Sequence, residues 1–235
     1  MALAVHLRKV LCDRDPSVMG AALCVIEKMV GGNAPHLKLF KDLVPSLVSI
    51  LKQIIEHRLP ADYDYHRIPA PWLQMKVIRI LTALGTGDKP ASEDMYAILS
   101  EVASKADTGT NTSNIGHAIV HTTIKAIATI YPNPTLLTLA ATAVTRLIES
   151  PNHNLKYLGV TSLTSLVKSH PSAAAAHQMT VVDCLGDEDT TLQRKTLELL
   201  YVMASGRNVE FIAEKLLEFL EKAEDEFLRR DLTGR

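Results

Sequence analysis

His117 and His121 stand four residues apart, the spacing that puts two imidazoles on one face of a helix and the way helical zinc sites present a ligand pair. Position 118 is Ala118, where a metalloprotease helix carries the glutamate that serves as general base, and no third ligand stands nearby. Zinc takes three or four ligands, so the two histidines read as ordinary residues of a helix surface. Cys184 is close in sequence to His177 and Asp183, residue types that elsewhere form a nucleophile and its base. Proximity along a chain does not orient a base, and a thiol among apolar neighbours reads as core. Gly85-x-Gly87 is too short for a phosphate loop and follows a helical pattern instead of a strand, so it reads as a helix end. No catalytic, cofactor-binding or metal-binding residue is therefore expected, and the chain is not expected to be an enzyme.

Charge offers a second kind of chemistry. Lys76 and Arg79 share a helical face opposite Val77 and Leu81, and Arg194-Lys195 open another helical stretch. These four are the candidate partner-facing residues, for an acidic protein surface or an anionic headgroup. A solvated helix face is the plainer reading, because each Lys or Arg near a charged membrane contributes only about 1 kcal/mol. From Glu214 to Arg230, charges of both signs surround Leu216, Leu217, Leu220, Phe227 and Leu228, the pattern of one amphipathic helix. Trp72 follows Pro69-Ala70-Pro71 and reads as a core wedge at a helix start.

What must position these residues is set by composition and punctuation. The chain has 235 residues, 47% of them apolar, enough for a continuous core. With 25 Lys+Arg against 26 Asp+Glu, it lacks the basic excess that a nucleic-acid binder needs. Cys12, Cys24 and Cys184 are odd in number, widely spaced and set among apolar residues, which reads as buried thiols in a reducing compartment, the cytosol. The opening Met-Ala-Leu-Ala-Val is too short an apolar run before His6 and Arg8 to make a signal peptide or a span, so membrane contact is expected to be peripheral.

Apolar residues recur at three and four positions, as in Leu73, Val77, Ile80, Leu81 and Leu84, while Pro and Gly fall mainly between such runs. The pattern predicts ten to twelve helices, with Ser92 and Pro134 near helix starts. Similar hexapeptides begin at Leu73, Ile115, Leu155 and Leu192, giving spacings of 42, 40 and 37 residues. That is near the roughly 40–47-residue period of HEAT and armadillo units. An earlier copy at Val18 lies 55 residues upstream, the excess falling in the Pro- and Tyr-containing segment 56–71, which reads as an insertion between repeats. Asp or Asn precedes several of the copies, at Asp13 and Asp15, Asn114, Asn152 and Asn154, and Asp187 and Asp189, as caps for the free N–H groups of the next helix. The predicted fold is all-α, a HEAT/armadillo-like right-handed superhelical solenoid of antiparallel helix pairs, whose extended faces suit protein binding.

Particular residues carry a family resemblance. Tyr63 to Leu81, with Pro71-Trp72-Leu73-Gln74 opening a basic amphipathic helix, resembles the adaptin large chains, where a Pro-aromatic-Leu-Gln element does the same. Asn114 to Ile119, Asn154 to Gly159, Val182 to Leu185 and Leu192 to Leu200 follow in the family's order, so the resemblance spans nearly the whole chain. Arg58-Leu59-Pro60, Tyr63 to His66, Gly85 to Asp88 and Tyr131 to Pro134 look most like the epsilon type of the fourth adaptor complex, with the gamma type as close rival. His117 and His121 depart from the family, which usually has Asn and Glu there. The resemblance implies that residues 1–235 form a single adaptin-type helical-repeat domain, part of a longer trunk. It implies a non-enzymatic scaffold of a cytosolic vesicle coat, without cofactor, partnered by a beta-type large, a medium and a small chain, and peripherally attached to trans-Golgi network or endosomal membrane. Another HEAT scaffold, such as a nuclear-transport receptor or a phosphatase regulatory subunit, is the alternative.

Overall fold

Several helix starts in this chain are set by a proline or by a short polar side chain that takes up the free amides. In the computed structural model, which describes residues 2–32, 34–106, 114–223 and 225–234, the Asp189 carboxylate accepts from the amides of Thr191 at 2.7 Å and Leu192 at 3.1 Å. Asn152 accepts from Asn154, Asn133 from Leu136, and Asp15 from Ser17. The helices are α1 (Ala2–Leu11), α2 (Pro16–Gly32), α3 (Ala34–Phe40), α4 (Val44–Ile55), α5 (Pro71–Gly85), α6 (Lys89–Ala106) and α7 (Asn114–Thr129). They continue as α8 (Pro134–Ile148), α9 (His153–Ser169), α10 (Ala174–Asp183), α11 (Thr190–Met203), α12 (Val209–Lys222) and α13 (Glu226–Gly234). Short 3-10 turns fall at Lys41–Leu43, Ala61–Tyr63, Pro171–Ala173 and Cys184–Gly186. Among the described residues there is no strand, only an isolated antiparallel bridge between Tyr65 and Ile68.

The thirteen helices among the described residues exceed the ten to twelve expected, and the expected helix over 214–230 is part of the reason. It is two helices: Ala223 turns extended, and the Asp225 carboxylate accepts from the amides of Phe227 at 2.8 Å and Leu228 at 3.3 Å to start α13. Ser92 is not a helix cap either. Asp88 does that work for α6, accepting from Ala91, while the buried Ser92 hydroxyl donates back to the carbonyls of Gly85 and Asp88. The similar hexapeptides that begin at Leu73, Ile115, Leu155 and Leu192 fall within the first turns of α5, α7, α9 and α11.

The chain forms two compact units, Met1–Ala140 and Ala141–Arg235. In the first, α2 lies against α5 and α5 against α7, while α4 lies against α6, and α4 packs on α5, α5 on α6 and α6 on α7, making two layers of helices. Leu23, Ile26, Leu47, Leu51, Ile78, Leu81, Met95 and Leu99 fill the space between them and are at most 1% exposed. Each contributes on the order of 2 kcal/mol by leaving water. In the second unit α9 packs on α11 with α10 against both, around Leu163, Leu192, Leu199 and Leu200. Buried Thr123, Thr164 and Thr196 satisfy their hydroxyls on the carbonyl four residues back, so α7, α9 and α11 bury a polar group without leaving it unpaired. Gly159 admits a close approach: a Cβ there would stand 2.6 Å from Ile148 Cγ1 and 2.9 Å from its backbone nitrogen. Gly87, with φ of 69°, takes the left-handed conformation just past the end of α5, which bears out the reading of Gly85-x-Gly87 as a helix end.

Candidate protein-binding surface

The four basic candidates are all engaged within the chain. Lys76 and Arg79 project from α5 toward α2, where both meet Glu27, at 3.4 Å and 2.7 Å. Arg194 reaches from α11 to Asp225 at 3.2 Å and lies over the Phe227 ring, 4.6 Å from its centroid. Lys195 pairs with Glu198 one turn along the same helix, at 2.6 Å. Arg79 and Arg194 nevertheless keep nearly half of their side-chain surface in water. Such partly exposed pairs contribute little to stability, about 0.2–1 kcal/mol each, so an acidic surface brought against them competes with a weak internal partner.

His117 and His121 are half-buried on α7. Burial, with the nearby Lys125 charge adding to it, pushes the His121 imidazole down to about 4, so it is neutral at physiological pH. Among the described residues no group of three or more His, Cys, Asp or Glu side chains is placed to hold a metal. Cys184 is buried, donates to the Thr180 carbonyl at 3.3 Å, and burial pushes its thiol up to about 11, the reverse of what a nucleophile needs. Cys12 and Cys24, by contrast, are exposed, which corrects the expectation that all three thiols are buried. Sequence neighbours lie about 100° apart around a helix, so Cys24 faces outward while Leu23 and Ile26 face the core.

Trp72 is also not a core wedge. Pro71 and Ala70 are buried and seat the start of α5, which turns Trp72 outward, 53% exposed. Its ring packs edge-on against Tyr65 at 5.1 Å, and Tyr65 against His66 at 4.3 Å. The segment carrying them holds four non-glycine residues in the left-handed region: His57, His66, Arg67 and Ala70, at φ 55°, 49°, 65° and 35°. Gln74, buried in the first turn of α5, donates to the Pro69 carbonyl at 2.6 Å and ties the segment down. Behind it lies a cavity of about 510 Å³ with Ile55, Ile68 and Ile119 on its walls and His57, Arg67 and Lys105 at its edges. Sequence reasoning noted the unusual composition of 56–71; nothing in it signalled the exposed aromatic pair, since a tryptophan after two prolines serves either a core or a surface.

On the described residues, then, the chain presents helix faces, ion pairs and aromatic side chains, with no assembled catalytic group. The family model described as "Adaptin N terminal region" matches residues 3–233. The AP-4 complex subunit epsilon of Arabidopsis thaliana is 44% identical over 233 residues, which is 99% of this chain and 24% of that protein. The AP-4 complex subunit epsilon-1 of Homo sapiens is 39% identical over 231 residues, 98% of this chain and 20% of that one. The AP-1 complex subunit gamma of Dictyostelium discoideum is 29% identical over 221 residues, 94% of this chain and 24% of that one. The chain thus spans about a fifth to a quarter of the length of these relatives. Among solved structures, an engineered protein superposes with a TM-score of 0.62 at 16% identity, covering 99% of this chain and 94% of the other, a likeness of fold alone. Matched along nearly all of its length, and with relatives of the epsilon type ahead of the gamma type in identity, the chain belongs to the adaptin N-terminal-region family.

Proposed function

We propose that the chain is a scaffold segment of an adaptor-complex large subunit of the epsilon type, acting in vesicle-mediated protein transport by holding other proteins. The observation that carries this reading is the family match over residues 3–233, joined by 39–44% identity to AP-4 epsilon subunits of a plant and a mammal. Residues 1–235 are on this reading one helical-repeat domain of a longer trunk, with 56–71 inserted between two repeats. Its partners are a beta-type large, a medium and a small adaptor chain, and its place is the cytosolic face of trans-Golgi network or endosomal membrane. Attachment is peripheral and comes through the complex; among the described residues no helix is long and apolar enough to cross a membrane. Lys76, Arg79, Arg194 and Lys195 are the basic positions offered to acidic partner surfaces, in competition with Glu27, Asp225 and Glu198.

Affinity capture of the full-length protein from its own cells, followed by mass spectrometry, tests the reading. Co-recovery of a beta-type large, a medium and a small adaptor chain in comparable amounts is expected. Recovery of a phosphatase catalytic subunit or a Ran-type GTPase in their place contradicts it.

A further inference from the structure

Trp72, Lys76 and Arg79 follow one another at helical spacings, so they line one edge of α5, with Trp72 and Arg79 about 10 Å apart along the axis. That edge borders α2, which runs beside α5 in the same direction: Gly20 faces Leu73 and, further along, Glu27 faces Lys76 and Arg79. Between the two helices lies a surface groove of about 620 Å³, walled by Cys24, Glu27, Lys28, Gly31, Lys76 and Arg79. Three cations stand there against one carboxylate, and Glu27 divides its two oxygens between Lys76 and Arg79, at 3.4 Å and 2.7 Å. An incoming carboxylate therefore meets a surplus of positive charge. At the N-terminal end of the same edge the surface is aromatic, with the exposed Trp72 and Tyr65 rings packed edge-on at 5.1 Å. The Tyr63 hydroxyl, 2.6 Å from that of Ser17, ties this segment to the start of α2, and the buried Pro71 and Gln74 fix the backbone around Trp72. An aromatic pair held in place loses little freedom when a partner covers it.

Building on the scaffold role, on which this rests, we propose that the α2–α5 groove docks an acidic amphipathic helix of a partner protein. An apolar side chain of that helix sits against Trp72 and Tyr65, and its carboxylates reach Lys28, Lys76 and Arg79. A helix laid along α5 repeats its side chains at the same rise, so a residue over Trp72 is followed about two turns later by one over Arg79. Its carboxylates take over from Glu27, whose pairs with Lys76 and Arg79 are partly exposed and weak. An anionic bilayer fits the site less well. Recognition of such a surface takes a cluster of about four to eight Lys or Arg, and the three cations here line a recess that also holds Glu27, which a flat membrane does not enter.

Trp72 is the only tryptophan of the chain, so its emission reports on this site alone. The 235-residue chain is titrated with synthetic tryptophan-free helices, one in each chain direction, that carry leucines at one end of one face and glutamates at the other. Twins in which lysines replace the glutamates serve as controls, and binding is read from Trp72 emission and from the anisotropy of a label on the peptide. An acidic helix is expected to move Trp72 emission to shorter wavelength, saturably, and to bind more weakly as salt rises. The lysine twins should not bind. Lys28→Ala with Arg79→Ala, both exposed positions, should weaken the acidic helix roughly fivefold, with circular dichroism confirming the fold. No binding of either acidic helix, binding without a shift of Trp72, equal binding of a lysine twin, or an unchanged affinity in the double variant would each overturn the proposal. So would a Trp72 shift produced by phosphatidylserine vesicles and not by the peptides. The wild-type comparison of acidic and lysine helices decides the matter even if the double variant fails to fold. Failure here alongside co-recovery of the adaptor chains from cells would remove this docking site and leave the scaffold role standing.

Discussion

A carboxylate removed from water stays ionised only where hydrogen bonds and counter-charges replace the water it has lost. The Asp187 side chain, 3% exposed, meets Lys156 and His153 at 2.7 Å each and accepts from the amide of Asp189. Burial acts to raise this carboxyl, but those three partners outweigh it and hold it below the ordinary carboxylate range. Its folded value is thus depressed, so its contribution to stability is complete above the ordinary value of 3.8 and is lost as pH falls through the folded one. Asp187→Ala should cost on the order of 2 kcal/mol at pH 7 in urea denaturation, because it leaves Lys156 half-buried without its partner. His121 gives a second pH dependence at higher pH. With its imidazole depressed to about 4 in the fold and near 6.5 when unfolded, the unfolded chain gains a proton there first as pH drops. Stability is fully present above 6.5 and declines toward pH 4, by about 1 kcal/mol after allowing for partial exposure. His121→Gln should flatten the denaturation midpoint between pH 7 and 5; an unchanged slope would remove His121 as its source. Gly159→Ala forces a methyl against Ile148 and should lower stability by about 1–3 kcal/mol, whereas Gly31→Ala, which meets nothing within 4 Å, should not destabilise. Thermal melts of the two variants side by side check that contrast.

At the scale of elements, helix starts were legible because their chemistry is local. Asp189 capping α11 and Asn152 capping α9 follow from one side chain and the two or three amides after it, and Asp189→Ala should cost about 1 kcal/mol in a thermal melt. Elements whose outcome depends on distant packing were less legible. Trp72 and Cys24 sit among apolar residues in sequence, but which face of a helix turns inward is decided by its neighbours: α2 and α5 bury Leu23, Ile26, Val77 and Leu81 and leave Trp72 and Cys24 outside. The break at Ala223 was hidden for a related reason, since charges of both signs are as common across two short helices as along one long one. The basic positions Lys76, Arg79, Arg194 and Lys195 were visible as charge, while their internal partners Glu27, Asp225 and Glu198 became apparent only once the helices were in place. The segment before α5 shows the same limit. Nothing in Pro69-Ala70-Pro71 announces that Ala70 sits at φ 35°, a conformation that glycine adopts without penalty. Ala70→Gly should therefore stabilise the chain by about 0.5–1 kcal/mol, read as a raised melting temperature; a lowered one would mean that the buried methyl matters more than the backbone.

For the whole molecule, repetition carries the account from sequence to role. A helix pair with one apolar side is not stable alone; packed against the next pair it is, and the faces left over are long surfaces made of side chains from many turns. Adaptin membership, which rests on residues spread along the full chain instead of on one motif, supports the purpose proposed for those faces. The most direct measurement of that purpose is reconstitution. The full-length protein is co-expressed with a beta-type large, a medium and a small adaptor chain, purified through a tag on the beta chain, and its mass determined by light scattering after gel filtration. The account predicts one species with the mass of a four-chain complex containing a single copy of this subunit. Elution of this subunit on its own, with the other chains forming a complex without it, would contradict it.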